Sequence, residues 1–186
     1  CVDDRNEECI DGFSLSDRKY VFSVGSMNPS KNFLLILKVA ELLPDIEFIV
    51  AGGGNDAVFR SQKLEIPKNV RFLGYVTDKE LFALYAHAGC FLFPSLYEGF
   101  GIPPLEAMVC GCPVIASDCA SIPEVCGDGA VYCKPSAPEE WVREIKRIIS
   151  DKDMRGELLR KASAVVARYR WKTSAEKMME YLRTKF

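Results

Sequence analysis

Several features that would assign this 186-residue chain to a familiar functional class are missing from its sequence. The longest apolar runs, such as residues 33–37, are far shorter than the roughly 18 residues that a membrane span needs. No apolar segment near Cys1 resembles a signal peptide. These absences, together with 48% hydrophobic and 27% charged residues, predict a globular cytoplasmic domain.

The eight cysteines form no CxxC pair, which argues against a zinc site or a redox-active dithiol. A chain of this length can also build a core that is stable without disulfides. Cys110 and Cys112 flank Gly111, but a lone CxC is weak evidence for metal ligation. Most other cysteines lie in or beside apolar runs, where a thiol packs as a small hydrophobic group. We therefore predict no metal site.

The sequence also offers little for histidine catalysis or for nucleic-acid binding. His87 is the only histidine, and its place near the end of a predicted helix is typical of a residue that the helix dipole favours. Residues 141–186 hold 13 Lys and Arg against 6 Asp and Glu, but the acidic residues are interspersed along predicted helices. This pattern is typical of solvated helix faces, so we predict no nucleic-acid partner.

What the chain does have is a regular alternation of short apolar runs and helical segments. Strands are predicted at residues 20–24, 47–51, 70–73, 90–94, 113–116 and 130–133. Helices are predicted at residues 31–43, 56–65, 79–87 (N-cap Asp78), from 103 or 104 onward, 122–125, 138–150, 154–169 and 173–184. Trp141 and Trp171, which lie in this C-terminal helical region, are interpreted as core residues.

This order predicts an α/β domain with a Rossmann-like, doubly wound parallel sheet. The sheet should have about six strands with helices on both faces, followed by C-terminal helices. Residues 1–19 are polar and acidic without clear periodicity, so we interpret them as a linker or domain boundary. Residues 20–186 then form the domain.

The most informative stretch is SLYEGFGIPPLEAM, residues 95–108. It follows an apolar run, turns on two glycines and enters a helix at Pro103 or Pro104, where proline is tolerated because the first helical turn needs no donor. Backbone N–H groups of residues 99–102 would then lie at the positive end of a helix dipole. That arrangement favours an anion, such as a phosphate.

Two carboxylates flank this turn. Glu98 precedes it, and Glu106 lies about one turn inside the helix, with seven residues between them. Carboxylates accept hydrogen bonds from hydroxyl groups, so the pair indicates a ligand with both phosphate and polyol groups, such as a nucleotide sugar. On spacing alone, Glu106 could equally compensate the helix dipole, and Glu98 could be a solvated loop charge.

Further candidate ligand groups follow other predicted strands. Lys31 lies in the first turn of a predicted helix, where a cation is unfavourable by roughly a few tenths of a kcal/mol unless an anion is close; a lysine reaching into water is the alternative. Gly53 belongs to a GGGND run that leaves room for a ligand or another backbone, although it is not a GxGxxG fingerprint. Ligands of doubly wound folds bind beyond the carboxyl ends of the strands, where Lys31, Gly53, Glu98 and Glu106 are all predicted.

The central stretch, together with GCPVIASD and IPEVCGDGA after it, resembles the carboxyl-terminal domain of the group 1, or family 4, glycosyltransferases of the GT-B fold. The likeness runs from Tyr20 to Phe186. The closing YRWKTSAEKMMEYLR is similar to the family's last helices, the final one of which crosses back towards the other domain. The resemblance implies a retaining, metal-independent hexosyltransferase. Its donor substrate, a UDP-, GDP- or ADP-sugar, would bind here without any further cofactor.

The resemblance also implies roles for individual residues. Glu106 would hold the ribose hydroxyls, Glu98 would contact the donor sugar, and Lys31 would neutralise the leaving diphosphate. Backbone N–H groups of residues 100–102 would face the sugar and diphosphate, and the segment 74–76 would border the base. The implied catalytic residues are Glu98 and Lys31, and the implied donor-binding residues are Ser26, Gly53, Val76, Phe100, Gly101, Ile102 and Glu106.

Two features depart from the family pattern. Ser26 stands where many members carry an arginine, so another cation serves, phosphate neutralisation is weaker, or the donor differs. The amino-terminal domain that supplies the acceptor site has no counterpart here. We therefore expect this domain to bind a nucleotide sugar but to transfer little sugar alone. The full-length enzyme would act on a glycan, lipid-linked or other acceptor in polysaccharide or glycolipid synthesis, with peripheral membrane contact.

Two other functions remain open at this point. The same two-domain architecture occurs in nucleotide-sugar epimerases and phosphorylases, of which this chain would be one half. A non-catalytic nucleotide-binding module is the other alternative, and Ser26 is its best support.

Overall fold

The computed structural model describes residues 9–10, 13–15, 20–26, 28–53 and 65–185. Two short strands, Cys9–Ile10 (β1) and Phe13–Ser14 (β2), pair as an antiparallel ribbon. The strands of the main sheet are Tyr20–Val24 (β3), Glu47–Ala51 (β4), Val70–Gly74 (β5), Cys90–Phe93 (β6), Val114–Ser117 (β7) and Ala130–Cys133 (β8).

The main sheet is parallel throughout and runs in the order β5-β4-β3-β6-β7-β8. The chain proceeds from β3 outward to β5, returns to β6 beside β3, and then proceeds outward in the opposite direction. In register, Phe22 faces Ile49 on one side and Phe91 on the other. The predicted doubly wound sheet of six strands is thus confirmed, and its topological switch point lies between β3 and β6.

Seven helices are described in these residues, and no helix among them is both long enough and apolar enough to cross a bilayer. They are Phe33–Glu41 (α1), Asp78–His87 (α2), Ile102–Val109 (α3), Ile122–Cys126 (α4), Pro138–Ser150 (α5), Lys152–Val166 (α6) and Trp171–Lys185 (α7). Pro29–Lys31 and Gly127–Gly129 form single 3-10 turns. Residues 56–64 of the helix predicted at 56–65 lie outside the described residues, and residue 65 is not helical.

Helices cover both faces of the sheet because successive strand side chains point to opposite sides. Tyr20 and Phe22 of β3 pack in a core formed with α2, α3, α4 and α6, whereas Val21 packs on the other face with α1 and α5. All four residues of both β6 and β7 are buried, as expected of central strands in a sheet covered on both faces.

The two tryptophans differ in their burial. Trp141 of α5 is fully buried, which confirms it as a core residue. Trp171 is 91% exposed, and the prediction that it belongs to the core was wrong. The reason is that α7 buries no residue against the sheet, so its apolar side chains have no core to enter.

Helix starts also differ from the sequence prediction. The segment predicted to open α1 at Lys31 forms a 3-10 turn instead, because Asn32 adopts a left-handed conformation (φ 53°) and α1 begins only at Phe33. Helix α2 is capped by Thr77, not by Asp78. The Thr77 side chain accepts from the Glu80 backbone while the Glu80 carboxylate accepts from the Thr77 N–H, a reciprocal capping box.

Candidate functional site

An ion pair joins the loops that follow the two strands at the switch point. The Lys31 ammonium, after β3, donates to Oε1 of Glu98, after β6, over 2.5 Å. The side chains are 25% and 13% exposed, so the pair is only partly screened by water. The structure thus brings the two predicted catalytic residues into contact, where ligands of this fold class bind.

Neighbouring loops fix the position of Lys31. The Asn28 side chain caps the 3-10 turn by accepting from the Ser30 N–H (3.1 Å), and the Ser30 carbonyl accepts from the Leu96 N–H (2.7 Å). The Asn32 side chain donates to the Pro135 carbonyl (3.1 Å), which ties the same turn to the loop after β8. The ammonium also lies 5.7 Å from the centre of the Phe93 ring, within range of a cation–π contact.

The glycine turn before α3 contains backbone donors that no protein group of the described residues uses. Gly101 adopts φ 95°, a left-handed conformation that favours glycine, and α3 begins at Ile102, one or two residues earlier than predicted. Pro103 and Pro104 have no N–H group. Within the described residues, the N–H groups of Phe100, Gly101 and Ile102 donate to no protein acceptor, so they can donate to a ligand.

Two side chains that the sequence prediction did not single out brace this turn. The Ser121 hydroxyl lies 3.0 Å from the Glu98 carbonyl oxygen and 3.2 Å from that of Phe100, and it donates to them. The Phe100 ring meets Tyr169 edge-on, with centroids 5.6 Å apart, and the Tyr169 hydroxyl donates to the Val125 carbonyl. The turn is therefore held by the residue that precedes α4 and by the segment that follows α6.

Glu106 is half-buried on α3, four residues after Ile102 and so on the same helix face as the start of the helix. Its Oε2 accepts a hydrogen bond of 3.2 Å from the hydroxyl of Tyr85, a fully buried residue of α2. Burial and, second, the Glu106 charge raise the pKa of Tyr85 well above its usual value. The hydroxyl therefore remains a proton donor to Glu106 at physiological pH.

The remaining candidates line the same edge of the sheet. Ser26 and Gly53 are exposed, and Val76 is half-buried against the core. The close backbone approach that was expected along the glycine run occurs at its first glycine, Gly52. A Cβ at Gly52 would lie 2.2 Å from the Gly25 carbonyl oxygen, whereas the space around Gly53 is open.

Three buried cysteine thiols are poor ligands and poor nucleophiles. Burial raises the pKa of Cys90, Cys126 and Cys133 to about 12, so these thiols are protonated at neutral pH. In the part of the chain that the structure describes, no group of three or more His, Cys, Asp or Glu side chains is arranged to hold a metal ion.

A family model described as glycosyl transferases group 1 matches residues 5–182. The chain belongs to the group 1 glycosyltransferases. It is 34% identical over 168 residues to the O-antigen chain mannosyltransferase B of Escherichia coli, covering 86% of this chain and 44% of that protein. It is 37% identical over 134 residues to the O-antigen chain mannosyltransferase RfbU of Salmonella typhimurium, covering 69% and 38%. This group 1 chain thus spans less than half the length of either relative.

Solved structures confirm the fold of this group 1 chain. The Anabaena protein HepE, in complex with UDP-glucose, superposes with a TM-score of 0.78 at 23% identity, covering 91% of this chain and 50% of that one. A sucrose-phosphate synthase from Thermosynechococcus elongatus gives a TM-score of 0.78 at 21% identity, covering 92% and 46%. At these identities the likeness establishes the Rossmann-like α/β fold.

Proposed function

We propose that this chain is the donor-binding domain of a retaining, metal-independent glycosyltransferase. A nucleotide sugar would bind at the carboxyl edge of the sheet between β3 and β6, and a hexose would pass to an acceptor held by an amino-terminal domain. The observation that carries the proposal is the Lys31–Glu98 pair, which lies at the switch point in the same loop system as three unused backbone donors.

The diphosphate would be bound by the turn before α3 and by Lys31. Cleavage of a glycosyl–phosphate bond leaves negative charge on the departing oxygen, and preorganised donors and cations stabilise that charge in the transition state. Lys31 is the sole basic residue of the loop 25–32, and Ser26 adds no charge to it. Neutralisation from this loop would therefore depend on one ammonium.

The Lys31–Glu98 pair would have to exchange partners when the donor binds. Lys31 would turn to the diphosphate, and Glu98, whose side chain is only 13% exposed, would then need new hydrogen-bond donors. The hydroxyls of the donor sugar would supply them. A nucleotide sugar should therefore bind more tightly than the nucleoside diphosphate alone, because only the former satisfies Glu98 as Lys31 leaves it.

The relatives indicate which donors to test first. Two relatives at or above 30% identity are O-antigen chain mannosyltransferases by name, and HepE was solved with UDP-glucose. We therefore propose a role in polysaccharide or glycolipid synthesis and include GDP-mannose and UDP-glucose among the donors. The acceptor would lie outside this chain, and the full-length enzyme would contact the membrane peripherally.

Titration of the 186-residue protein tests the proposal. UDP, GDP, ADP and their sugars would be added while the backbone amide signals of residues 98–106 are followed by NMR. We expect one nucleotide series to shift the signals of Phe100, Gly101 and Ile102, with a Kd of about 1 μM to 1 mM, or about −8 to −4 kcal/mol. If none of the series shifts these signals, the donor-binding proposal is wrong.

A non-catalytic nucleotide-binding module is the second candidate. It is favoured by Ser26, which leaves the loop with a single cation, and by the engagement of that cation with Glu98. Such a module would bind the nucleoside diphosphate and its sugars equally, and it would turn over no donor when joined to its amino-terminal domain. Donor hydrolysis or transfer by the joined protein would exclude it.

A further inference from the structure

The hydroxyl of Tyr85 lies in a position that packing of the core determines. Its ring meets those of Phe22 (β3) and Phe91 (β6) edge-on, at centroid distances of 5.2 and 5.1 Å and interplanar angles of 80° and 74°. These two strands form the centre of the sheet. A shift of the ring would disturb this aromatic cluster, so the hydroxyl is held in one place relative to the switch point.

The partner of that hydroxyl is a side chain with its own freedom to move. Glu106 is half-buried and has three rotatable bonds, of which the contact with Tyr85 restricts the terminal ones. A carboxylate offers about four acceptor positions on its two oxygens. A single bond from Tyr85 to Oε2 therefore leaves Oε1, and part of Oε2, for further donors such as a vicinal diol.

We propose that Tyr85 is a positioning residue for nucleotide ribose. Its hydroxyl holds Glu106 in the orientation in which the remaining carboxylate lone pairs accept hydrogen bonds from the two ribose hydroxyls. The inference rests on the proposed function and deepens it. It assigns part of the selectivity for ribose to a tyrosine of the core that acts through Glu106.

Tyr20 provides a matched control. It is also a buried tyrosine of the same core cluster, and its hydroxyl donates to the Leu84 carbonyl over 2.7 Å. A Tyr20→Phe substitution removes a buried hydroxyl but leaves the Tyr85–Glu106 contact in place. The two Tyr→Phe variants should therefore be destabilised to a similar extent, because each loses a buried, hydrogen-bonded hydroxyl.

The experiment compares the affinity for a nucleotide that carries both ribose hydroxyls with the affinity for the same nucleotide without them. Isothermal titration calorimetry on the 186-residue protein would compare UDP, GDP and ADP with their 2′,3′-dideoxy counterparts. For the nucleotide that binds, we expect Tyr85→Phe to lower the ribose-to-dideoxy affinity ratio by about three- to tenfold and Tyr20→Phe to leave it within about twofold. The ratio does not depend on the folded fraction, because both ligands report on the same folded protein.

Substitutions at Glu106 complete the test. Glu106→Gln should lower the ratio at least as much as Tyr85→Phe, and adding Tyr85→Phe to Glu106→Gln should lower it no further, because Tyr85 acts through the carboxylate. If Glu106→Gln lowers the ratio while Tyr85→Phe leaves it unchanged, the inference is overturned and the proposed function stands. Failure of the wild-type protein to bind any of the three ribonucleotides would overturn both.

Discussion

Glu98 and Glu106 flank the same glycine turn, but their surroundings differ in kind. Glu98 is paired with an ammonium on a lysine side chain, whereas Glu106 accepts from a neutral hydroxyl on a ring that the core holds in place. A lysine can swing between a carboxylate and a phosphate, but a buried tyrosine cannot leave. If the proposed function holds, the phosphate and sugar would bind at the exchangeable end of the candidate site, and the ribose would bind at its preorganised end.

The largest expected effect follows from removing the exchangeable cation. In a protein that joins this chain to its amino-terminal domain, Lys31→Ala should lower kcat by about 10²- to 10³-fold, because the charge on the leaving diphosphate loses its stabilisation. Binding of the nucleotide sugar should change less than kcat. Lys38→Ala, on the exposed side of α1, serves as the control. Unchanged turnover of Lys31→Ala would contradict this role.

The partner of that lysine gives a sharper test of exchange. Glu98→Gln frees Lys31 for phosphate but leaves the donor sugar a single uncharged amide oxygen as acceptor in place of a carboxylate. The nucleoside diphosphate alone should bind as well as to the wild type or better, and the additional affinity of the nucleotide sugar should fall by about tenfold. Calorimetric titration with both ligands measures this difference. If both ligands lose affinity equally, Lys31 and Glu98 do not exchange partners when the donor binds.

Loosening the turn should have a smaller effect. Ser121→Ala removes the hydroxyl that donates to the Glu98 and Phe100 carbonyls, so the backbone donors of the turn become less well placed. We expect nucleotide affinity to fall by about three- to fivefold. Ser150→Ala, which removes an exposed hydroxyl at the end of α5, is the matched control. Equal affinities for the two variants would mean that the turn needs no brace.

The smallest effect concerns the position after β3 at which many family members carry arginine. Ser26 is exposed, so Ser26→Arg adds a second cation in contact with water. Exposed charges contribute at most about 1 kcal/mol, and we expect nucleoside diphosphate affinity to rise by about two- to threefold at low salt. If the increase in affinity disappears at high salt, the increase is electrostatic in origin. A lower affinity would place the diphosphate elsewhere.

Local patterns were sufficient to predict much of the fold. The six strands follow from short apolar runs, four of which end at a glycine or proline, and their alternation with helices predicts a parallel sheet. The sequence predictions were wrong where a residue's conformation or burial depends on contacts with distant parts of the chain. The αL conformation of Asn32, whose side chain bonds to the Pro135 carbonyl, delays the start of α1, and Trp171 lies on a helix that finds no core.

In the candidate site, too, some features could be predicted from local sequence and others depend on tertiary contacts. Lys31, Glu98 and Glu106 could be predicted because charged groups beside helix starts and glycine turns are visible in the sequence. Their partners could not, because the Lys31–Glu98 contact joins residues 67 positions apart, and Tyr85 and Ser121 reach their acceptors across 21 to 23 positions. An aromatic residue at helical spacing predicts burial, but the direction of its hydroxyl is set by the tertiary structure alone.

The most direct measurement is a crystal structure of the protein soaked with the nucleotide sugar that the titrations select. Diphosphate oxygens are expected at about 2.7–3.2 Å from the N–H groups of Phe100, Gly101 and Ile102, with Lys31 turned towards them and the ribose on Glu106. A ligand bound at another place, or a Lys31–Glu98 pair that stays closed beside a bound diphosphate, would contradict the account.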